Sequence, residues 1–580
     1  MQQFLAELKR RNVLRVAAFY AASGWLLVQV ATQVSPFFDI PIWAVRVIVV
    51  AVVLGFPAAL VFAWFYELTP DGLKRENEVD RSQSVTRDTG RKLDRLIIGV
   101  LAVAVVALLA NLFVPHKTID DTALAKAIAV LPLANDTGDP NNEYFSDGLS
   151  EELISALAQV KELKVIGRTS SFHFKNRNED SKAIGAALGV GYLLEGSVRK
   201  SAERTRIAVS LVRAADGTNV WSQIYDRTLQ DIFVVQTQIA QSVAEALKVT
   251  LLGSASNPPG SPPNQNVDAY NAYLQGRYYE QRYSAADLRK AIGFYEAAIR
   301  IDPHYALAYA GLSKSLWILG DITGEGVADA NRRAREAAQR AITEDPNLAE
   351  GYAALGQILV SVDWNASGAE MAYRRAAELA PASAEPKIGL SSVLADFGKI
   401  EEAIELLQQA VQLEPLTATA HFDLARLLSS LGRHDEAVQS ARKAIDLQPA
   451  GAGTWEMLAL VEAKRGDGEA ALKAAEQETD PDWRAYAMAL AQQARGDRAA
   501  ADAALDALIA GHSDDMSFQI ATVYAFRGDA DKTFEWLDRA YEKHDPGAIA
   551  IIDNPFTREL RADPRFGAFC RKVGLPWPPR

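Results

Sequence analysis

Three short stretches of this chain gather polar groups that could do chemistry. They are Asp147-Gly148, Arg168-Thr169-Ser170-Ser171 and Glu195-Gly196-Ser197-Val198-Arg199. Asp147, Arg168, Glu195 and Arg199 together could build a pocket for a small ligand or an anion. The competing reading is that Glu195, Arg168 and Arg199 pair with one another and satisfy turns. No nucleophile–base pair accompanies them, so no catalytic residue is assigned. His173 lies between Phe172 and Phe174 in an expected loop and needs no chemical role. The seven histidines are scattered without an HExxH spacing, which argues against zinc, and neither metal nor cofactor is expected. Cys570 is the single cysteine, which excludes an intrachain disulfide.

A second set of residues could recognise a partner rather than transform one. Lys314, Trp317, Gln357, Glu385, Ser392, Phe422 and Arg426 project toward one face of a helical repeat array. The alternative is that they are merely solvated or packed between repeats. That array is read from spacing. Pro381, Pro415 and Pro449 fall 34 residues apart. Ahead of each runs a small–bulky–small order, Ala369/Tyr373/Ala376, Ala403/Leu407/Ala410 and Ala437/Ala441/Ala444. Small residues let two antiparallel helices approach, and proline ends the second helix. The period and its residues resemble the tetratricopeptide repeat. Irregular copies end at Pro303 and Pro346, and weaker helix pairs continue past Gly466, for about seven to eight units. The segment NPFTRELRADPRFGAFCRKVGLP reads as a cap over the last hydrophobic face. The resemblance implies a solenoid whose inner groove takes extended peptides or helices, so the expected partner is a protein or peptide.

The elements ahead of the array have mixed periodicity. Strands are predicted at Ala127–Leu133, Leu163–Ile166, Tyr192–Val198, Arg206–Arg213 and Val220–Tyr225, the last two joined by the Asp216-Gly217 turn. Helices are predicted from an Asp147 cap onward, over Ser181–Leu188 with a stop at Gly189, and around Ile232, Val235, Ile239 and Val243. The order is βαβαβββα, a mixed α/β sheet carrying helices. The segments AIAVLPLANDTGDPNNEYFSDGLSEELISAL, LKVIGRTSSFHFK, YLLEGSVRK, RIAVSLVRAADGTNVWSQIYDR and DIFVVQTQIA resemble the TolB amino-terminal-like domain of bacterial membrane proteins that also carry tetratricopeptide repeats. Relatives in that group can carry a cyclase or winged-helix domain ahead of the membrane. Nothing in this chain matches either, so a cyclase label would lack support.

The first 115 residues differ from the rest. Val16–Val34, Val47–Tyr66 and Leu96–Pro115 are uncharged apolar runs of 19, 20 and 20 residues. About 20 such residues cross the ~30 Å hydrocarbon core as a helix, so three transmembrane helices are predicted. ELKRRNV, AWFYELTPDGLKRE and GRKLDRLIIGVLA also resemble the membrane module of that group. Lys9, Arg10, Arg11 and Arg15 precede the first run, and seven Lys/Arg lie between the second and third. The positive-inside rule then places the N-terminus in the cytoplasm and everything after Pro115 in the periplasm of a multi-pass inner-membrane protein. Lipid becomes an expected partner, and the spans offer an oligomerisation surface.

The expected architecture is therefore multidomain. A membrane module occupies 1–115 and an α/β domain 116–252. A Pro/Ser/Gly linker follows at 253–265, and an all-α solenoid with its cap fills 266–580. Net charge is −12 over the chain and −15 after residue 115, which argues against nucleic acid. The expected function is non-enzymatic: a scaffold or adaptor in the cell envelope. The competing reading is a sensor whose α/β domain binds a small ligand and acts through a separate effector.

Overall fold

A computed structural model describes residues 126–247 and 266–578, apart from 159, 161–162, 202–203, 229–230 and 325. It also describes scattered positions between 17 and 57 and the strands at 66–69 and 72–75. The chain divides into two compact units, residues 1–119 and 120–580.

In the first unit, β1 (Tyr66–Thr69) and β2 (Gly72–Arg75) pair antiparallel, with Thr69 opposite Gly72 and Tyr66 opposite Arg75. They correct the second predicted span, because Tyr66 lies in a strand. Among the described residues no helix is long and apolar enough to cross a membrane. A span needs about 20 consecutive apolar residues in one helix. Only scattered positions of the first two runs are described, and the third run, 96–115, lies outside the described residues. The three-transmembrane fold class and the multi-pass inner-membrane location are therefore not retained. Among the described residues the chain is mostly helical, with a mixed sheet and a repeat solenoid.

In the second unit, the strands are β3 (Ala127–Val130), β4 (Ala134–Asn135), β5 (Lys164–Val165), β6 (Tyr192–Lys200), β7 (Arg204–Arg213) and β8 (Asn219–Thr228). Their order is β5-β3-β6-β7-β8, with β4 also on β6. β3 is parallel to β5 and β6, whereas β6-β7-β8 is an antiparallel meander. The helices here are α1 (Glu143–Ala158), α2 (Arg168–Phe172), α3 (Ser181–Leu188) and α4 (Ile232–Ala246). One sheet face packs on α1 and α4 through Leu194, Ile207, Val209, Leu149, Leu153 and Ile239. The other packs under α3 through Ala129, Leu193, Ile184 and Leu188. Gly189 ends α3 at φ 64°, as predicted.

Two local readings change. Asp147 does not cap α1, because Asp139 caps a short 3₁₀ turn at Pro140–Asn142 that runs straight into the helix. The Asp147 side chain is instead buried inside α1. The expected loop before His173 contains α2, whose Ser170 and Ser171 are buried.

Sixteen further helices form eight antiparallel pairs among the described residues. They are α5 (Val267–Glu280) with α6 (Ala285–Ile301), α7 (Ala306–Thr323) with α8 (Val327–Glu344), and α9 (Ala349–Ser361) with α10 (Ala366–Leu379). Next come α11 (Glu385–Asp396) with α12 (Ile400–Leu413) and α13 (Ala418–Ser430) with α14 (His434–Leu447). The last three are α15 (Thr454–Arg465) with α16 (Gly468–Gln477), α17 (Pro481–Arg495) with α18 (Arg498–His512), and α19 (Ser517–Arg527) with α20 (Ala530–Glu542). Two 3₁₀ turns, Pro546–Ile551 and Arg558–Ala562, and α21 (Pro564–Lys572) close the array.

The small residues do what their spacing implies. Ala369, Ala376, Ala403, Ala410 and Ala437 are wholly buried. At the third pair the bulky partner is Tyr373, whose ring lies where a Cβ on Gly389 would sit, 2.3 Å away. A methyl group there would push α11 off α10. The last three pairs share an Arg-Gly-Asp turn. Gly466, Gly496 and Gly528 take φ 91°, 76° and 76°, ending the first helix. Asp467, Asp497 and Asp529 then accept the N–H groups of Ala470, Ala500 and Lys532 at 3.0, 3.1 and 3.0 Å, starting the second.

The α/β layer and the array share one core. Tyr270 of α5 stacks edge-on to Phe233 of α4 at 4.9 Å, and its hydroxyl accepts a 3.0 Å bond from Gln236. Farther along, Gly167 N–H donates to Leu413 O at 3.1 Å and Leu416 N–H to Ser170 Oγ at 2.9 Å. Leu416 and Leu447 also pack on the α3 side of the sheet. The 253–265 linker lies outside the described residues. Its composition gives no hint of this docking, which is made by helices on either side of it.

Candidate functional site

The first helices of successive pairs pack on one another, α5 on α7, α7 on α9, and so on to α19. They therefore line the inner face of the array, and all seven expected groove residues lie on four of them, α7, α9, α11 and α13.

The first half of this face meets α1 of the α/β layer. Glu151 bonds Arg168 and Arg277 at 2.5 Å each and accepts from Gln281 Nε2 at 3.1 Å. Burial opposes its charge, yet the Arg277 and Arg168 guanidiniums hold its carboxyl below the usual range. Glu152, one residue on, is pushed up to about 7 by burial, against the pull of Arg277 and with Glu151 and Glu350 adding to the rise. Lys314 lies 2.9 Å from Glu385 and 3.6 Å from Glu280, linking α7, α11 and α5. Glu385 is lowered chiefly by Lys314. The Lys314 and Glu385 side chains keep 42% and 62% of their surface, so water screens this pair and it adds little stability. Gln357 is engaged locally, with Ser361 Oγ at 2.6 Å and Tyr373 OH at 3.2 Å. Trp317 packs partly into the core, and Ser392 is exposed.

The second half of the face is occupied by the chain's own C-terminal segment. Ile551, Ile552, Asp553, Phe556 and Thr557 are buried. Arg426 bonds Asp553 in a short charge-assisted contact and approaches Asp423 at 3.7 Å. Arg558 donates to Ser430 O at 3.1 Å, and Trp364 packs at a tilt against Tyr541 and His544, with ring centroids 5.8 and 5.3 Å away. Asp396, 4% exposed, is raised well above the usual carboxylate range by burial, despite Arg426 nearby. Phe422 is half-buried against the same core. Arg426 is thus committed to an internal contact, whereas Glu385 and Ser392 are exposed and Lys314 keeps 42% of its side-chain surface.

The α/β cluster is not brought together. Asp147 pairs with Lys175 at 2.6 Å, and Arg168 with Glu151. Arg199 donates to Asp136 O at 3.3 Å, and Glu195 sits opposite Ser210 in the β6–β7 register. Glu151, Arg277, Asp396 and Asp553 were missed in the sequence because their partners lie as many as 127 residues away, and no local spacing records that.

The match to known families falls inside this array. The tetratricopeptide repeat model covers residues 388–452, which span α11 to α14. This part of the array carries tetratricopeptide repeats. A protein of Rhizobium meliloti (strain 1021) named "Putative adenylate cyclase 3" is 34% identical over 236 residues. That stretch is 40% of this chain and only 40% of the relative. Among solved structures, YrrB, a TPR protein with an unusual peptide-binding site, is 19% identical and covers 37% of this chain and 97% of its own, with a TM-score of 0.25. PilW, a type IV pilus biogenesis factor, is 18% identical over 36% of this chain and 91% of its own, with a TM-score of 0.31.

Proposed function

We propose that this chain is a non-enzymatic protein-interaction scaffold that binds an extended polypeptide on the first half of its repeat array. The supporting observation is the array itself: eight helix pairs among the described residues, four of whose helices lie in the region of the repeat match. Lys314, Glu385 and Ser392 are the proposed contact residues, since they remain accessible there. The α/β layer is proposed to be a TolB amino-terminal-like domain, on the sequence segments that resemble it. Its role is to brace the array through Glu151–Arg277 and Ser170–Leu416. The separate partners of Asp147, Arg168, Glu195 and Arg199 support a structural rather than a catalytic role. The cyclase name belongs to a relative matched over 40% of its length, and the purified chain given ATP and magnesium should form no cyclic nucleotide. The binding test is affinity capture on the full chain, followed by Lys314→Glu with Ser392→Arg. The double variant should lose the wild-type partners while keeping its helical circular dichroism. Unchanged capture would refute this choice of surface.

A further inference from the structure

The two edges of the sheet are treated differently. The β5 edge is two residues long, and the chain just beyond it is covered by the Gly167–Leu413 bond to the array. The β8 edge runs ten residues, and among the described residues only β7 pairs with it. An uncovered edge presents a row of unpaired backbone groups, which proteins ordinarily blunt with bulges, proline or lysine. Here the register shifts between Leu211 and Val212, leaving Val220 as the extra residue of a bulge. Beyond it Trp221–Thr228 pairs regularly with β7 and contains neither proline nor lysine. On its outer side Ile224 is 64% exposed, a high value for a large aliphatic side chain.

We propose that Trp221–Thr228 pairs antiparallel with the same segment of a second copy of this chain, about a twofold axis through Ile224. The two sheets then become one. Side chains alternate with period two, so antiparallel neighbours share a face. Centring on Ile224 sets it against its own copy and Ser222 against the partner's Asp226, a hydroxyl facing a carboxylate. It also sets Trp221 against Arg227 of the partner subunit, a ring facing a cation. Among the described residues the Arg227 guanidinium bonds only its neighbour's carbonyl, Asp226 O, at 3.1 Å, whereas Asp226 already holds Arg204 and Arg206. Centring one residue later would instead press Ile224 against an aspartate. Centring one residue earlier would bring Arg227 to Asn219, across the bulge. The interface is a single strand pair, so the dimer is weak and concentration-dependent.

The full chain itself supplies a clean test, because Cys570 is buried and its thiol is pushed up to about 12 by burial. In Ile224→Cys the new thiol is the reactive one. Under mild oxidation it should give a disulfide-linked dimer, and Gln241→Cys, exposed on α4, should stay monomeric. Sedimentation of the wild-type chain should show a monomer–dimer equilibrium that Ile224→Lys shifts at least tenfold toward monomer. A monomeric wild type, crosslinking of Ile224→Cys no greater than that of Gln241→Cys, or an unchanged equilibrium in Ile224→Lys would overturn the proposal.

Discussion

Replacing Arg426 by alanine separates an internal role for this residue from a partner-binding one. Spacing alone puts Arg426 one turn from Phe422 on the groove face, where its loss should weaken binding and leave the fold intact. The structure reverses that expectation. Arg426 is 18% exposed and its partner Asp553 is wholly buried, with no donor to Oδ1 among the described residues. Removing the guanidinium strands a buried carboxylate, a change that typically costs about 3–5 kcal/mol. Asp423, 3.7 Å from Arg426, loses the same cation. Urea unfolding followed by far-UV circular dichroism should therefore show a fall of about 3 kcal/mol or more. Adding Asp553→Asn to Arg426→Ala should restore part of it, because the amide carries no charge. A fall below about 1 kcal/mol for the single variant would refute this reasoning and return Arg426 to the solvent-facing set.

Three other outcomes follow from the same geometry. Gly389→Ala should destabilise by about 1–3 kcal/mol in the same assay, because the added methyl meets the Tyr373 ring. Glu456, 2% exposed, is pushed up to about 8 by burial, with Glu478 adding to the rise. Its folded-state affinity for a proton exceeds its unfolded one, so it costs stability as pH rises from about 4.5 to about 8, and the loss persists above that. Glu456→Gln should flatten the decline between those values, read as melting temperature against pH; an unchanged slope would argue against it. Glu151→Ala should leave Arg168 and Arg277 facing each other without their carboxylate, at about 2 kcal/mol after allowing for their partial exposure. Faster amide exchange in α1 and α5, rather than in α17–α20, would locate that effect.

The array was legible from sequence because each helix pair repeats one packing problem. The 34-residue spacing of prolines and alanines records how closely two helices must approach, and the alanines it marks are buried. The sheet was legible for a related reason: Ile207, Val209 and Leu211 alternate onto one covered face. What the sequence could not record was closure. Nothing local to Arg426 announces that Asp545–Asp563 turns back across α11 and α13, nor does anything near Glu151 mention Arg277. Such contacts depend on the curvature summed over many repeats. The α/β polar cluster failed for the opposite reason. Asp147, Arg168, Glu195 and Arg199 all sit near element ends, but each faces a different neighbour. The apolar N-terminal runs suggested spans through composition alone, whereas Tyr66 lies in a β-strand.

The measurement closest to the central claim is site-specific photocrosslinking along the array. A photoreactive residue at Ser392, exposed on the inner face, is compared with one at Arg375, exposed on the outer helix α10. Protein adducts from Ser392, lost when Lys314→Glu is added, are the predicted result. Adducts from Arg375 alone, or equal adducts from both positions, would contradict a scaffold that binds through its inner face.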